Sequence, residues 1–91
     1  MGKKIVEKAV ALRYDDKKDS APHVVAKGQG SLSDKIREIA VKNDIPIYKD
    51  DTLVELLSQI DIDREIPTEL YAAVAEILSW IYRASNELKE T

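Results

Sequence analysis

The sequence predicts one small α/β domain, in which a small mixed β-sheet is covered by three helices. Two short β-branched runs flank a polar loop that ends in proline, which is typical of an antiparallel hairpin. Apolar residues recur at spacings of three and four in three later segments, as they do in amphipathic helices. A third β-branched run follows the first of these segments, and a strand, a helix and a strand in succession predict one parallel crossover.

The antiparallel hairpin is predicted from two strands, residues 8–14 and residues 23–27. Both runs are rich in β-branched residues, although the first is short enough that periodicity alone also allows a helical turn. The segment between them is polar and ends in Pro22, so it reads as a connecting loop. Gly28 stops the second strand.

The first helix is predicted over residues 32–43, with Ser31 as its N-cap, because the apolar residues that follow keep helical spacing. Residues 45–48 read as a short third strand. Pro46 within that run requires an edge or an end position, since proline cannot donate a ladder hydrogen bond. The second and third strands should therefore lie parallel in one sheet.

The second helix is predicted over residues 52–59, behind a capping box formed by Thr52 and Glu55. The third helix is predicted to begin near Pro67, which suits a first turn, and to end near Glu87. Its apolar stripe predicts a helix with one wide buried face: Leu70, Ala73, Val74, Ile77, Leu78 and Ile81. The predicted core joins helix and strand residues: Val10, Leu12, Val24, Val25, Ile36, Ile39, Leu53, Leu56, Leu57, Leu70, Val74, Ile77 and Ile81.

Composition limits the classes of protein to which the chain can belong. With 91 residues, 44% hydrophobic, residues 1–91 fit a single domain, which we expect to be ordered over about 5–86. The absence of cysteine excludes disulfides and thiolate metal sites, and no apolar run is long enough to span a membrane, so we expect a cytoplasmic protein without direct membrane insertion.

The net charge of −3 is unevenly distributed along the chain. Residues 1–42 carry 10 Lys and Arg against 6 Asp and Glu, a balance of +4, whereas residues 43–91 carry 4 against 11, a balance of −7. A surface polarised in this way can orient a protein partner, although an uneven solvated exterior also explains it. The acidic total argues against nucleic acid binding.

Few residues carry a signal for chemistry. The loop Gly28–Ser31 lies where a strand meets a helix, a place that can bind anions, but it completes neither common phosphate-binding motif. His23 is the only histidine and no nucleophile motif accompanies it, so a strand-end surface residue is expected. Trp80, Tyr71 and Tyr82 lie on the long helix, where aromatic residues usually flank a core and less often line a partner groove. No catalytic residue, metal site or cofactor is predicted.

Five blocks of the sequence, in one order, resemble the cytoplasmic domain of the FlhB/YscU family, the substrate-specificity switch proteins of flagellar and type III secretion export gates. These blocks are residues 9–15, residues 21–28, residues 36–40 with Ile45-Pro46, residues 65–67 and residues 70–82.

The resemblance implies that the chain is a free-standing relative that does not cleave itself. Family members carry membrane helices before this domain and cleave themselves within an Asn-Pro-Thr-His motif, where the asparagine side chain closes on its own carbonyl. The matching positions here read Lys4-Ile5-Val6-Glu7, which lack both the asparagine and the histidine. A family glycine is replaced near Asp63, a change that a positive φ at this aspartate would tolerate.

The resemblance also implies a function. We expect a non-enzymatic protein-interaction module of the export apparatus, with export-gate proteins or export substrates as partners, held at the inner face of the membrane by the gate. The alternative is a small anion-binding or nucleotide-binding protein that uses the Gly28–Ser31 loop. The candidate partner surface consists of charged residues from both halves of the chain: Lys8, Arg13, Glu69, Glu76 and Arg83.

Overall fold

A computed structural model describes residues 6–15 and 17–89, and it confirms an α/β fold with a small antiparallel sheet and three helices. A single 3-10 turn, Thr68–Leu70, leads directly into the last helix. The elements in chain order are β1 (Lys8–Arg13), β2 (His23–Gln29), α1 (Ser31–Lys42), α2 (Asp51–Leu57) and α3 (Tyr71–Lys89).

The hairpin forms as predicted, and a β-bulge interrupts its register. Ala11 pairs with Ala26, but the next residue of β1 pairs with Val24, so Val25 is the extra residue on β2. Val24 is fully buried at 0% exposure, whereas Val25 is 38% exposed. Successive residues of a strand point to opposite faces, so the prediction that both valines belong to the core was wrong.

The predicted third strand and its parallel crossover are not formed. Residues 45–48 pair with no strand, and the sheet found in the described part of the chain has the order β1–β2 alone. Asp44 has a φ of 56°, and the Ile45 N–H donates to the Ala40 carbonyl at 2.9 Å, which together end α1 in a Schellman turn. Residues 45–50, which follow this turn, have no regular secondary structure, and Pro46 has no N–H with which to enter a ladder.

An irregular segment, residues 63–66, pairs with β2 in place of that strand. Asp63 has a φ of 72°, in the left-handed region that glycine adopts without strain. Aspartate visits this region more readily than most residues, which explains why the replacement of the family glycine is tolerated. Three backbone hydrogen bonds hold the segment: Asp63 N–H to Val24 O at 2.6 Å, Val24 N–H to Arg64 O at 3.0 Å and Ile66 N–H to Pro22 O at 2.9 Å.

Lys27 makes a second connection from β2 to the chain that follows α2. Its ammonium group donates to the carbonyl of Ser58 at 3.2 Å and to the carbonyl of Ile60 at 2.8 Å. These carbonyls follow the last turn of α2, where the helix dipole is negative, so a cation is favourable there. The connection between α2 and α3 is therefore fixed to the sheet through both backbone and side-chain contacts.

The first turn of α2 is capped differently from the prediction. Asp50 is the N-cap, and its carboxylate accepts a hydrogen bond from the Leu53 N–H at 3.0 Å. The predicted capping box of Thr52 and Glu55 was wrong, because the helix begins at Asp51 and Thr52 already lies inside its first turn. The Glu55 carboxylate instead pairs with the Lys8 ammonium group at 2.6 Å.

The core is a small cluster between α2, the segment before α3 and the first turns of α3. Ile39 and Leu56, both predicted in the core, are each 48% exposed, because a two-stranded sheet covers only a narrow stripe of each helix. The cluster's buried residues are Leu53, Leu57, Ile66 and Val74, and its half-buried neighbours are Val10, Leu12, Ile60, Leu70, Ile77 and Leu78.

Helix α3 begins as predicted and is less buried than predicted. The Leu70 N–H donates to the Pro67 carbonyl at 3.0 Å, which starts the 3-10 turn one residue after the proline. Val74 is 2% exposed, but Ala73 is exposed and the other residues of the stripe are half-buried. No helix in the described part of the chain is long and apolar enough to cross a membrane.

Substituting Val74→Asp tests whether the contact of α3 with the core holds the domain together. An unpaired carboxylate at a fully buried position is costly, and we expect a loss of at least about 3 kcal/mol, or roughly 12–24 °C in Tm. The matched control is Ala75→Asp, at the next and exposed position of the same helix, which should shift Tm only slightly. Thermal unfolding followed by circular dichroism measures both, and equal shifts would contradict the described packing.

Candidate functional site

Two of the three basic residues of the candidate partner surface lie on the hairpin and have acidic neighbours. Lys8 is held by Glu55, with its side chain 25% exposed. Arg13 ends β1 and is more open, with its Nε 4.0 Å from an oxygen of Asp19. The charge of Lys8 is therefore neutralised within the chain, and Arg13 is the more available cation of the two.

Two of the three candidate residues from the third helical segment come together in a groove. This groove, of about 290 Å³, lies between one face of α3 and the chain that leads into α2. Glu69 lies on the preceding 3-10 turn, exposed to solvent and outside the groove walls. The walls include two carboxylates, one guanidinium and three large apolar or aromatic side chains: Asp50, Glu76, Arg83, Tyr48, Ile77 and Trp80.

An exposed aromatic pair lines this groove. The rings of Tyr48 and Trp80 meet edge to face, with centroids 6.1 Å apart and an interplanar angle of 70°. Trp80 is 57% exposed, so it lies outside the core. Of the two interpretations offered by the sequence, a core flank and a partner groove, the groove describes the position of this tryptophan. Tyr48 and Asp50 were not predicted as site residues, because Tyr48 ends the segment that was predicted to be a strand and Asp50 lies between that segment and the second predicted helix.

The two glycines of the Gly28–Ser31 loop have structural roles: Gly28 allows close packing and Gly30 has a positive φ. A Cβ on Gly28 would lie 2.9 Å from the Cβ of Leu32, so helix α1 could not pack as closely on β2. Gly30 has a φ of 62° and a ψ of −130°, a combination that side-chain-bearing residues rarely adopt. The Gly30 N–H also donates to the Glu7 carbonyl at 2.8 Å, so it is already bound within the chain.

The first turn of α1 is acidic rather than suited to phosphate. Gly30 is the N-cap of α1, and Ser31, which was predicted as the cap, is the first helical residue. The positive φ at position 30 favours glycine there. Arg37 pairs with Asp34 in this turn and with Glu7 at 2.6 Å. The guanidinium at this turn is therefore already paired with two carboxylates, so the geometry favours a structural role for the loop.

His23 starts β2, and carboxylates lie on both sides of its ring. Its Nδ1 is 3.9 Å from an oxygen of Asp19 and its Nε2 is 4.0 Å from an oxygen of Glu65. The nearby Ser20 hydroxyl donates to Glu65 at 3.2 Å and not to the imidazole, so the contacts give no activated serine. Within the described residues, no three metal-binding side chains are grouped so that they could hold an ion.

The positions that match the family's cleavage motif are described only in part. Lys4 and Ile5 lie outside the described residues. Val6 is exposed, and the backbone of Glu7 is bound to Gly30 while its carboxylate pairs with Arg37. Glu7 therefore contributes to the contact between the start of the hairpin and α1.

Comparisons with known proteins confirm the resemblance. The profile of the FlhB HrpN YscU SpaS family matches residues 6–81. The Bacillus subtilis protein YlqH is 48% identical over 84 residues, which cover 92% of this chain and 90% of that protein. The flagellar biosynthetic protein FlhB of Escherichia coli is 46% identical over 76 residues, or 82% of this chain, but this chain spans only 20% of that protein's length.

Solved structures show the same fold. The crystal structure of the cytoplasmic domain of FlhB from Shewanella putrefaciens has a TM-score of 0.84 and 34% sequence identity, covering 91% of this chain and 65% of that chain. The crystal structure of the PscU C-terminal domain has a TM-score of 0.77 and 32% identity, covering 81% of this chain and 95% of that chain.

The conformational role of Gly30 can be tested by substitution. We expect Gly30→Ala to destabilise the domain by about 1–3 kcal/mol, because alanine is strained at a positive φ with this ψ. Gln29→Ala is the matched control, since the adjacent residue is exposed and has a side chain already. Urea unfolding at constant pH measures both, and an unchanged midpoint for Gly30→Ala would contradict the described turn.

The same loop can be tested for anion binding with inorganic phosphate. The internal hydrogen bond of Gly30 and the carboxylates at the first turn of α1 predict no saturable change in the amide NMR shifts of residues 28–31. Saturable shifts confined to these amides would favour the alternative of an anion-binding protein.

Proposed function

Because the chain belongs to the FlhB HrpN YscU SpaS family, we propose that it is a protein-interaction module of the flagellar or type III export apparatus that does not cleave itself. The observation that carries the proposal is the family match over residues 6–81, combined with the loss of the cleavage residues at Lys4–Glu7. The domain is kept and its self-cleavage chemistry is lost. Binding is the role that remains for such a domain.

Self-cleavage needs an asparagine that is missing at the motif position of this chain. The reaction implied for other family members begins when the amide nitrogen of an asparagine side chain attacks the carbonyl carbon of the same residue. Lys4 occupies the asparagine position, and its ammonium group is attached to a longer chain and is protonated at neutral pH. Glu7 replaces the histidine. We therefore propose that the chain is not an enzyme.

One relative consists almost entirely of this domain. The match to YlqH covers 90% of that protein, whereas the match to E. coli FlhB covers one fifth of it. We propose a cytoplasmic protein that the export gate recruits to the inner face of the membrane. Residues 1–42 have a net charge of +4 and residues 43–91 a net charge of −7, and this difference would orient the chain on a partner whose surface has the complementary charges.

The proposed partners are export-gate proteins or export substrates, because this chain is similar to flagellar biosynthetic proteins. The anion-binding alternative receives no support from the Gly28–Ser31 loop, whose glycines have structural roles and whose Gly30 N–H is bound to the Glu7 carbonyl. The charged surface offers Arg13 on the hairpin and the groove on α3. A protein partner could therefore contact either Arg13 on the hairpin or the groove on α3.

The first test of this proposal is the stability of the covalent chain. Without an asparagine to cyclise at position 4, the purified protein should give one species near 10.2 kDa by mass spectrometry after days at neutral pH. A synthetic chain with Asn-Pro-Thr-His at positions 4–7 serves as the comparison. Spontaneous fragments of the natural chain that break within residues 4–7 would refute the proposal that it does not cleave itself.

The second test identifies partners in a flagellated host. The affinity-tagged chain, cross-linked in living cells and recovered under denaturing conditions, should enrich export-apparatus proteins or export substrates in mass spectra. The same tag on an unrelated acidic domain of similar size is the control for charge. Equal recovery on both baits would contradict the proposed association with export.

A further inference from the structure

We propose that the groove between α3 and the chain leading into α2 is a docking site for a short partner segment that carries one large apolar side chain next to a lysine or an arginine. This inference rests on the proposed binding function and names the surface and the chemistry of its partner. It follows from the size of the groove, its exposed aromatic pair, its charges and the unpaired backbone beside it.

The aromatic pair provides the apolar part of the site. Trp80 and Tyr48 are exposed although they contact each other edge to face, and Ile77 extends the apolar wall toward the core. Tryptophan and tyrosine dominate the binding energy of protein interfaces, because they bury a large area with few rotatable bonds. A groove of about 290 Å³ is at the lower end of the range for small-molecule pockets and accommodates one or two side chains.

The charges of the groove favour a cation on the partner. Asp50 and Glu76 contribute two carboxylates to the walls, and Arg83 contributes one guanidinium, which leaves one net negative charge. Among the ion pairs of the described residues, none uses Glu76 or Asp50. The groove also lies in the half of the sequence with a balance of −7, so the wider field attracts a basic partner.

The backbone beside the groove is available to hold the main chain of a partner. From Pro46 to Lys49, no N–H or carbonyl group is hydrogen-bonded to another described residue. This run includes Tyr48 and carries the β-branched pattern that predicted a strand, and it is exposed throughout. Unpaired backbone groups of this kind can hydrogen-bond to the main chain of a peptide, as they do where a peptide adds to a sheet edge. The occupant is therefore better described as a peptide segment than as a free side chain.

The rival occupant is a second copy of this chain. Its residues 1–42, with a balance of +4, have the sign that the groove attracts. We favour a separate partner because Lys8 and Arg37, two of those cations, are already paired within the chain with Glu55 and Glu7. The oligomeric state measured below separates the two occupants.

The test begins with a random peptide library displayed on phage and selected on the immobilised full chain. We expect the enriched peptides to share a large apolar residue adjacent to lysine or arginine. A synthetic copy of one such peptide should change the fluorescence of Trp80, the only tryptophan, in a saturable way. Replacing its basic residue by glutamate should weaken binding at least about tenfold.

Two substitutions in the groove and two controls then locate the site. Trp80→Ala and Glu76→Lys should each weaken binding of a dye-labelled peptide at least about tenfold, as expected for a hot spot. The controls are Tyr82→Ala, another exposed aromatic of α3, and Glu38→Lys, an exposed charge reversal on α1. They should change affinity less than about twofold, and circular dichroism should show that all four variants remain folded. The glutamate-containing peptide should recover affinity for the Glu76→Lys variant.

Several results would overturn the assignment. No enrichment, enriched peptides without a basic residue, or equal loss in the control variants would each reject the groove. Concentration-dependent self-association in sedimentation experiments that Glu76→Lys abolishes would assign the groove to a second copy and reject the partner segment. The Trp80→Ala variant can also be used as the bait in cells. If it recovers export proteins as well as the natural chain does, the groove assignment fails while the proposed function stands.

Discussion

The attachment of β2 to the chain between α2 and α3 is the constraint on which the rest of the structure depends. A two-stranded hairpin is marginally stable alone, so β1 and β2 need a further partner. Residues 63–66 provide it by pairing with β2, and Lys27 fixes the preceding turn by binding the carbonyls of Ser58 and Ile60. Once this connection is held, the first turns of α3 can place Val74 in the core.

Much of this fold could be predicted from local patterns, and its central attachment could not. The hairpin and the three helices follow from β-branched runs and apolar spacing, signals that act within one segment. The pairing of residues 63–66 depends on the positive φ of Asp63 and has no strand pattern. Residues 45–48 have that pattern but form no strand, because the Schellman turn at Asp44 and the missing N–H of Pro46 outweigh β propensity. The family resemblance alone pointed to Asp63.

The candidate site shows the same division between local and distant signals. Glu76 and Arg83 could be chosen from the sequence because they repeat on one long helix. Tyr48 and Asp50 could not, because they reach the groove only after α1 ends and the chain turns back toward α3. The acidic character of residues 43–91 was visible from the start, and the structure gathers part of it around an exposed aromatic pair.

Native-state hydrogen exchange of the Lys27→Met variant tests most directly whether this attachment holds α3 in place. Lys27→Met keeps the apolar stem and removes the charge that binds the two carbonyls. The account predicts that the amides of Asp63, Ile66 and Val74 lose protection together and by similar factors, because they open as one unit. If Asp63 and Ile66 exchange freely while Val74 keeps the protection it has in the natural chain, the position of α3 does not depend on β2.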